Sequence, residues 1–299
     1  MIKLKLPSPI QMIDAINNVS LYVKREDLIH PDFGGNKWRK LKYNLEEYKA
    51  QKHETLITFG GAFSNHIAAS ASICKYFNIP SVGIIRGTYV DNNNPTLNLA
   101  KKNGMILHHV PKLEYKEKEQ SQLIKNIIKD YKNPLIVPEG GSNRNAKIGV
   151  KQMVEEVNVQ GHFDHLIVAA GTGMTATGII EGSASHSKTW VVNVLRNTSL
   201  ETKIQNQLES NNKNWKILSD FDFGGYAKVP SELKEFANEF YGKYQLLLDP
   251  IYTAKMMFAT MEMVKNKKFK SGDKVLTVHT GGLQGIKGFE YVTKSKWIE

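Results

Sequence analysis

The stretch HLIVAAGTGMTATG, residues 165–178, decides the fold. From His165 to Ala170 it is a nearly continuous apolar run, the pattern of a parallel strand covered on both faces. Gly171-Thr172-Gly173 then turns the chain, and small residues through Gly178 open a helix. The same order recurs outward in both directions. Strands are expected at Leu21–Lys24, Thr55–Phe59, Ser81–Arg86, Met105–Val110, Pro134–Val137, Trp190–Leu195 and Lys274–Val278. Between them lie helices at Asn65–Phe77, Thr96–Lys102, Leu113–Asp130 and Ala146–Val157. Strand–helix alternation of this kind indicates an α/β fold.

Composition narrows the class. The chain has 299 residues, 41% of them hydrophobic and 23% charged, which suits a globular chain with sizeable cores and not a disordered one. Its single cysteine, Cys74, excludes an intramolecular disulfide framework and a cysteine-based zinc ribbon, and it is expected to be buried. His108-His109 and the pair His162 and His165 lack zinc-site spacing, so no metal is expected. No apolar run reaches spanning length, and the start MIKLKLPSP has no signal-like stretch, so a cytoplasmic protein without membrane contact is expected. The excess of 40 Lys and Arg over 29 Asp and Glu gives +11, but the lysines are spread along the chain. No nucleic-acid motif accompanies them, so a solvated basic surface is preferred to nucleic-acid binding.

Three constellations carry chemistry. In the first, Gly171 to Thr175 would point backbone N–H groups at an anion and add the positive end of the helix. The loop lacks the lysine of a Walker motif and the third glycine of a dinucleotide fingerprint. On this motif alone a phosphate cradle and a plain strand–helix turn stand level. The second, Gly60-Gly61-Ala62-Phe63-Ser64-Asn65-His66, repeats that design; on local evidence alone Ser64 reads first as a helix N-cap, and the recurrence of the design lifts the functional reading. The third is GGNKWRK at 34–40. A basic cluster is usually a solvated face, so alone this lysine is unremarkable; held at a helix start beside other cations it would have a lowered pKa and suit Schiff-base formation. A phosphate cradle, a carboxylate pocket and such a lysine together describe a pyridoxal phosphate (PLP) site for an amino acid.

Seven motifs then occur in order: KRED at 24–27, GGNKWRK at 34–40, GGAFSNH at 60–66, PEGGSN at 138–143, AGTGMT at 170–175, DPIYTAK at 249–255 and HTGG at 279–282. Over nearly the whole chain the sequence resembles the 1-aminocyclopropane-1-carboxylate (ACC) deaminase and D-cysteine desulfhydrase family of PLP enzymes. The resemblance implies fold type II, the tryptophan-synthase-β type, with two domains, each a mostly parallel twisted sheet flanked by helices. The smaller is expected at 53–160 and the larger, PLP-binding one at 1–52 plus 161–299.

Residue by residue, the resemblance implies that Lys37 holds PLP and that Lys40 and the backbone of Gly171, Thr172, Gly173, Met174 and Thr175 bind its phosphate. Asn65 would contact the phenolate oxygen, and Thr280 is placed beside the cofactor. Ser64, Asn65 and His66 would receive the substrate carboxylate, with Ser64 also a candidate nucleophile or acid–base group. Tyr252 and Tyr226 match active-site tyrosines. ACC deaminases carry a glutamate after the Tyr252 position and a leucine at the Thr280 position; this chain has Thr253 and Thr280. That pattern resembles the D-cysteine desulfhydrases, and a neutral hydroxyl at the pyridine nitrogen makes a weaker electron sink. The resemblance therefore implies β-elimination from D-cysteine to pyruvate, ammonia and sulfide. The alternatives are ACC deamination to 2-oxobutyrate and a non-catalytic PLP or amino-acid binder. A homodimer is implied by the resemblance as well.

Overall fold

The computed structural model describes residues 3–89 and 91–299. Near its start β1 (Ile10–Ile16) and β2 (Val19–Arg25) form a hairpin. Its turn is Asn17-Asn18, at φ 53° and 60°, left-handed values that a two-residue hairpin turn requires and asparagine tolerates. After α1 (Asn36–Ala50) come β3 (Thr55–Gly61), α2 (Asn65–Tyr76), β4 (Ser81–Arg86), α3 (Pro95–Lys102) and β5 (Ile106–Val110). Next are α4 (Lys112–Glu117), α5 (Gln122–Lys129), β6 (Pro134–Val137) and α6 (Arg144–Gln160). They are followed by β7 (His165–Ala170), α7 (Met174–Gly182), β8 (Lys188–Asn193), α8 (Leu200–Gln207) and β9 (Trp215–Leu218). The chain ends through α9 (Ser231–Tyr244), α10 (Thr253–Lys265), β10 (Lys274–His279) and α11 (Gly285–Thr293).

The strands form two sheets, one of six in the order β1-β2-β10-β7-β8-β9 and one of four in the order β5-β4-β3-β6. Every neighbouring pair is parallel except β1 with β2. The α/β architecture of parallel sheets flanked by helices is therefore the one expected. Apolar runs such as Leu56-Ile57 and Leu166-Ile167-Val168 are buried on both sides, which is why they read as continuous.

Three details differ from expectation. The edge strands β1 and β9 escape notice because their residues are only partly buried and alternate weakly. The single helix expected over Leu113–Asp130 is broken into α4 and α5 by a 3-10 turn at Lys118–Gln120. Lys118 there has φ 53°, and the Ser121 hydroxyl accepts from the Ile124 N–H to start the second helix afresh.

Helices α1 and α6 join the two sheets. Trp38, Leu41 and Leu45 of α1 share a core with Leu56 and Leu135 of the four-stranded sheet. Val150, Met153 and Val154 of α6 pack instead with Leu166 and Val168 of the six-stranded one. Between them, a Cβ on Gly149 would lie 1.9 Å from the Arg39 carbonyl oxygen, so only glycine permits this approach. The buried Arg39 guanidinium is gripped by Glu26 at 2.8 Å and Glu156 at 2.7 Å. This fixes the first turn of α1, which carries two of the expected functional lysines.

Candidate active site

A cavity of about 640 Å³ opens where the carboxyl ends of β3, β7 and β10 face the starts of α1, α2 and α7. This is the place where parallel α/β sheets hold ligands. Lys37, Lys40, Ser64, Asn65, His66, Tyr226, Tyr252 and Thr280 all line it, so residues up to 243 positions apart in sequence are brought together. Gly171, Thr172, Gly173 and Thr175 line it too; Met174 does not, and is buried beside it. Any part Met174 takes is left to its backbone.

Lys37 is held by its neighbour. Its Nζ donates to Asn36 Oδ1 at 2.9 Å, while Asn36 Nδ2 donates to Thr175 Oγ1 at 2.9 Å. A short relay therefore ties the lysine to the start of α7. Burial lowers the Lys37 pKa to about 8, against the attraction of the Asp249 carboxylate, which raises it. Lys40, buried alongside, is pushed well below the usual lysine range by burial and by the Lys37 charge, and donates to the Gly140 carbonyl at 2.9 Å. Asn36 was legible only as part of the glycine–lysine motif; nothing in the sequence pointed to its orienting role.

The two helix starts differ. Ser64 caps α2, its Oγ accepting from the N–H groups of His66 at 3.2 Å and Ile67 at 3.3 Å. At α7 the cap position is Gly173, φ 97°, with no side chain to bond the first N–H groups. Ser64 thus caps α2 and also lines the cavity. His66 follows, 2% exposed. The Thr58 hydroxyl donates to the Val137 carbonyl and so accepts from His66 Nε2, leaving Nδ1 a bare acceptor without a partner. Burial and the two lysine charges hold the imidazole pKa well below its usual value, so the ring is neutral.

The opposite wall is built from HTGG. The Asn36 N–H donates to the Thr280 carbonyl at 3.1 Å, and Gly35 and Gly281 form a bridge. A Cβ on either glycine would meet the other strand's carbonyl oxygen at 2.2 Å. Gly282 and Gly285 make room for Asn65, whose amide a Cβ on either would meet at 2.8 Å. The structure corrects one expectation: Thr253 is absent from the cavity wall. Its hydroxyl turns back to Asp249 Oδ2 at 2.6 Å, inside the set of bonds by which Asp249 also accepts from the N–H groups of Ile251, Tyr252 and Thr253. Thr280, by contrast, lines the cavity. Tyr252 lies against Gly171, where a Cβ would meet its ring at 3.3 Å, and burial raises its phenol. Tyr226 sits at the mouth, 54% exposed. Its loop is stapled by the buried Lys255, whose Nζ donates to the carbonyls of Val194, Asp222 and Gly225. Arg86 and Glu139 also reach the mouth, and sequence reasoning passed over both. A charged residue closing the apolar run SVGIIR was the available signal for Arg86.

These residues fit a phosphorylated aldehyde: a buried amine of lowered pKa and an uncapped helix start behind a glycine turn. An ammonium so poorly held is costly to a fold unless it works as an amine. The class so defined is an enzyme acting through a lysine amine and a phosphorylated cofactor. The chain belongs to the pyridoxal-phosphate dependent enzymes, whose family pattern it matches over residues 4–281. It is 30% identical to a putative 1-aminocyclopropane-1-carboxylate deaminase of Pyrococcus abyssi, covering 93% of this chain and 90% of that one. It is 31% identical to the mitochondrial bifunctional D-cysteine desulfhydrase/1-aminocyclopropane-1-carboxylate deaminase of Arabidopsis thaliana, over 94% of this chain and 77% of that one. Among solved structures, an ACC deaminase homologue matches with a TM-score of 0.84 at 24% identity, covering 98% of this chain and 94% of that one. The PLP dependence and fold expected from the sequence therefore hold.

Proposed function

We propose that this enzyme eliminates the β-substituent of a small amino acid, as a D-cysteine desulfhydrase does, giving pyruvate, ammonia and sulfide. One observation carries the choice. Among the described residues lining the cavity the sole carboxylate is Glu139, and Lys118 pairs with it at 2.8 Å. Asp249 acts on Lys37 from behind the wall and does not line the cavity, so a pyridine nitrogen held there would meet Thr280 and no carboxylate of the wall. A less protonated ring is the weaker sink for electrons, sufficient to expel a thiolate and poorly suited to opening a cyclopropane.

Bound PLP supplies the electron sink that loosens the bonds at the substrate's α-carbon. The residues do the rest. Gly171 to Gly173 and the start of α7 hold the phosphate, with Thr172, Thr175 and Lys40 around it. The substrate carboxylate takes the N–H groups at the start of α2, displacing the long bonds to the Ser64 hydroxyl. His66 contributes its backbone, because its Nδ1 is an acceptor. Lys37, whose pKa of about 8 leaves much of its amine neutral in mildly basic solution, removes the α-proton. Asn36 aims that amine. Tyr252, over the glycine turn, orders the cofactor face, and Tyr226 covers the mouth.

The test is 2-oxo acid release from D-cysteine, L-cysteine, D-serine and ACC, side by side with Lys37→Ala. Pyruvate and sulfide from D-cysteine are expected. 2-Oxobutyrate from ACC as the main product would overturn the choice and favour the activity named for the archaeal relative. By resemblance alone we also propose a cytoplasmic homodimer of two domains that binds neither membrane nor nucleic acid; light scattering, fractionation and DNA retention test these points.

A further inference from the structure

The cavity mouth carries a charge that has no ion-pair partner among the described residues. Arg86 ends β4 directly beside Gly61 of β3, and a Cβ on that glycine would lie 3.4 Å from its guanidinium. The absence of a side chain at Gly61 leaves this face of the guanidinium open to the cavity, three residues before the Ser64 cap. On the other side lie the Tyr115 ring, 5.7 Å from the guanidinium carbon, and Lys118. The one acid at the mouth, Glu139, is taken by Lys118. Among the described residues no carboxylate lies within ion-pair distance of Arg86. From the six-stranded side Tyr226 approaches: burial raises its phenol and Arg86 pulls it back.

Two anion seats are already assigned, one for phosphate at α7 and one for a carboxylate at α2. We propose that Arg86 makes a third and determines specificity: it receives the anionic end of the substrate's side chain, so that the preferred amino acids carry or release an anion at the β-carbon. This rests on the elimination reading above. As the Cβ–S bond of cysteine breaks, its electron pair stays on sulfur. Lys37 holds the α-proton, and hydrosulfide departs beside a guanidinium that stabilises it. The unsaturated amine released takes up water to give pyruvate and ammonia.

The holoenzyme is titrated with both enantiomers of serine, alanine and cysteate, whose sulfonate is permanently charged, and affinity is read from the cofactor absorbance. Cysteate is expected to bind about tenfold or more tightly than serine, the order of a charge-assisted hydrogen bond. Arg86→Gln should abolish that preference and leave serine within about twofold, while Arg86→Lys restores part of it. An equal loss for serine and cysteate in Arg86→Gln would assign Arg86 to the α-carboxylate and overturn the proposal, as would the absence of any preference in the parent enzyme. Binding is read whether or not product forms. Tight cysteate binding with no 2-oxo acid released from D-cysteine would therefore overturn the elimination reading and leave the third seat standing.

Discussion

The cavity is bounded by two helix starts of the same design and opposite finish. Each follows a parallel strand and a glycine turn, and each aims free N–H groups inward. At α2 the Ser64 hydroxyl occupies those groups through bonds of 3.2 and 3.3 Å. At α7 a left-handed glycine takes the cap position and leaves them bare. A bare helix end buried in a fold costs free energy until an anion fills it, so it suits a ligand that stays. A capped end is satisfied while empty and can exchange its own hydroxyl for a carboxylate that comes and goes. On the proposed reading, one residue type at one position separates a cofactor seat from a substrate seat.

The comparison can be broken most severely by removing the group that serves both seats. Lys37→Ala should cut turnover by about a thousandfold or more, and borohydride should then fix no cofactor to the protein. Ser64 gives the next effect. Ser64→Ala should cost about 1 kcal/mol of stability as a lost cap. Ser64→Asp should recover that stability yet raise KM by about tenfold or more, because a capping carboxylate repels the substrate's. If Ser64→Asp raised the cofactor dissociation constant instead, the two seats would have to be exchanged. At the other seat, Gly173→Ala places a side chain at φ 97°, which costs about 1–2 kcal/mol. Cofactor affinity should fall by about tenfold, with KM for the amino acid unchanged.

The smallest effect is a shift on the pH axis. Only the neutral lysine attacks the cofactor aldehyde, so loading of the apoprotein should rise with pH through about 8, where Lys37 loses its proton. Asp249 holds that proton on by attraction. Asp249→Asn should therefore move the half-rise to lower pH, and a move upward would show that burial is not what sets the Lys37 value.

Much of this was legible in the chain because parallel strands must be apolar on both faces and helix starts need caps. HLIVAA and LITF announce buried strands, and Gly-Thr-Gly and Gly-Gly-Ala-Phe-Ser-Asn announce turns. The residues that tune the site were not legible, since their effect depends on packing. Thr253 was expected at the cofactor because it follows Tyr252. Tyr252 stands at the cap position before α10 and lines the cavity, while the next side chain opens the helix and turns back onto Asp249. Asn36 and Arg86 act through partners distant in sequence, Thr175 and Gly61, and no local pattern encodes such a meeting.

The bridge between Gly35 and Gly281 has a consequence for how such a chain can diverge. Two backbones touch there with no volume for any side chain, so a saturation library should find both positions intolerant although neither glycine supplies a reacting group. The lysine that follows is thereby welded in place. The mouth is under no such constraint: Arg86 and Tyr226 are exposed and Glu139 is half-buried. Drift can therefore rewrite which amino acid is accepted while the chemistry performed on it is inherited unchanged.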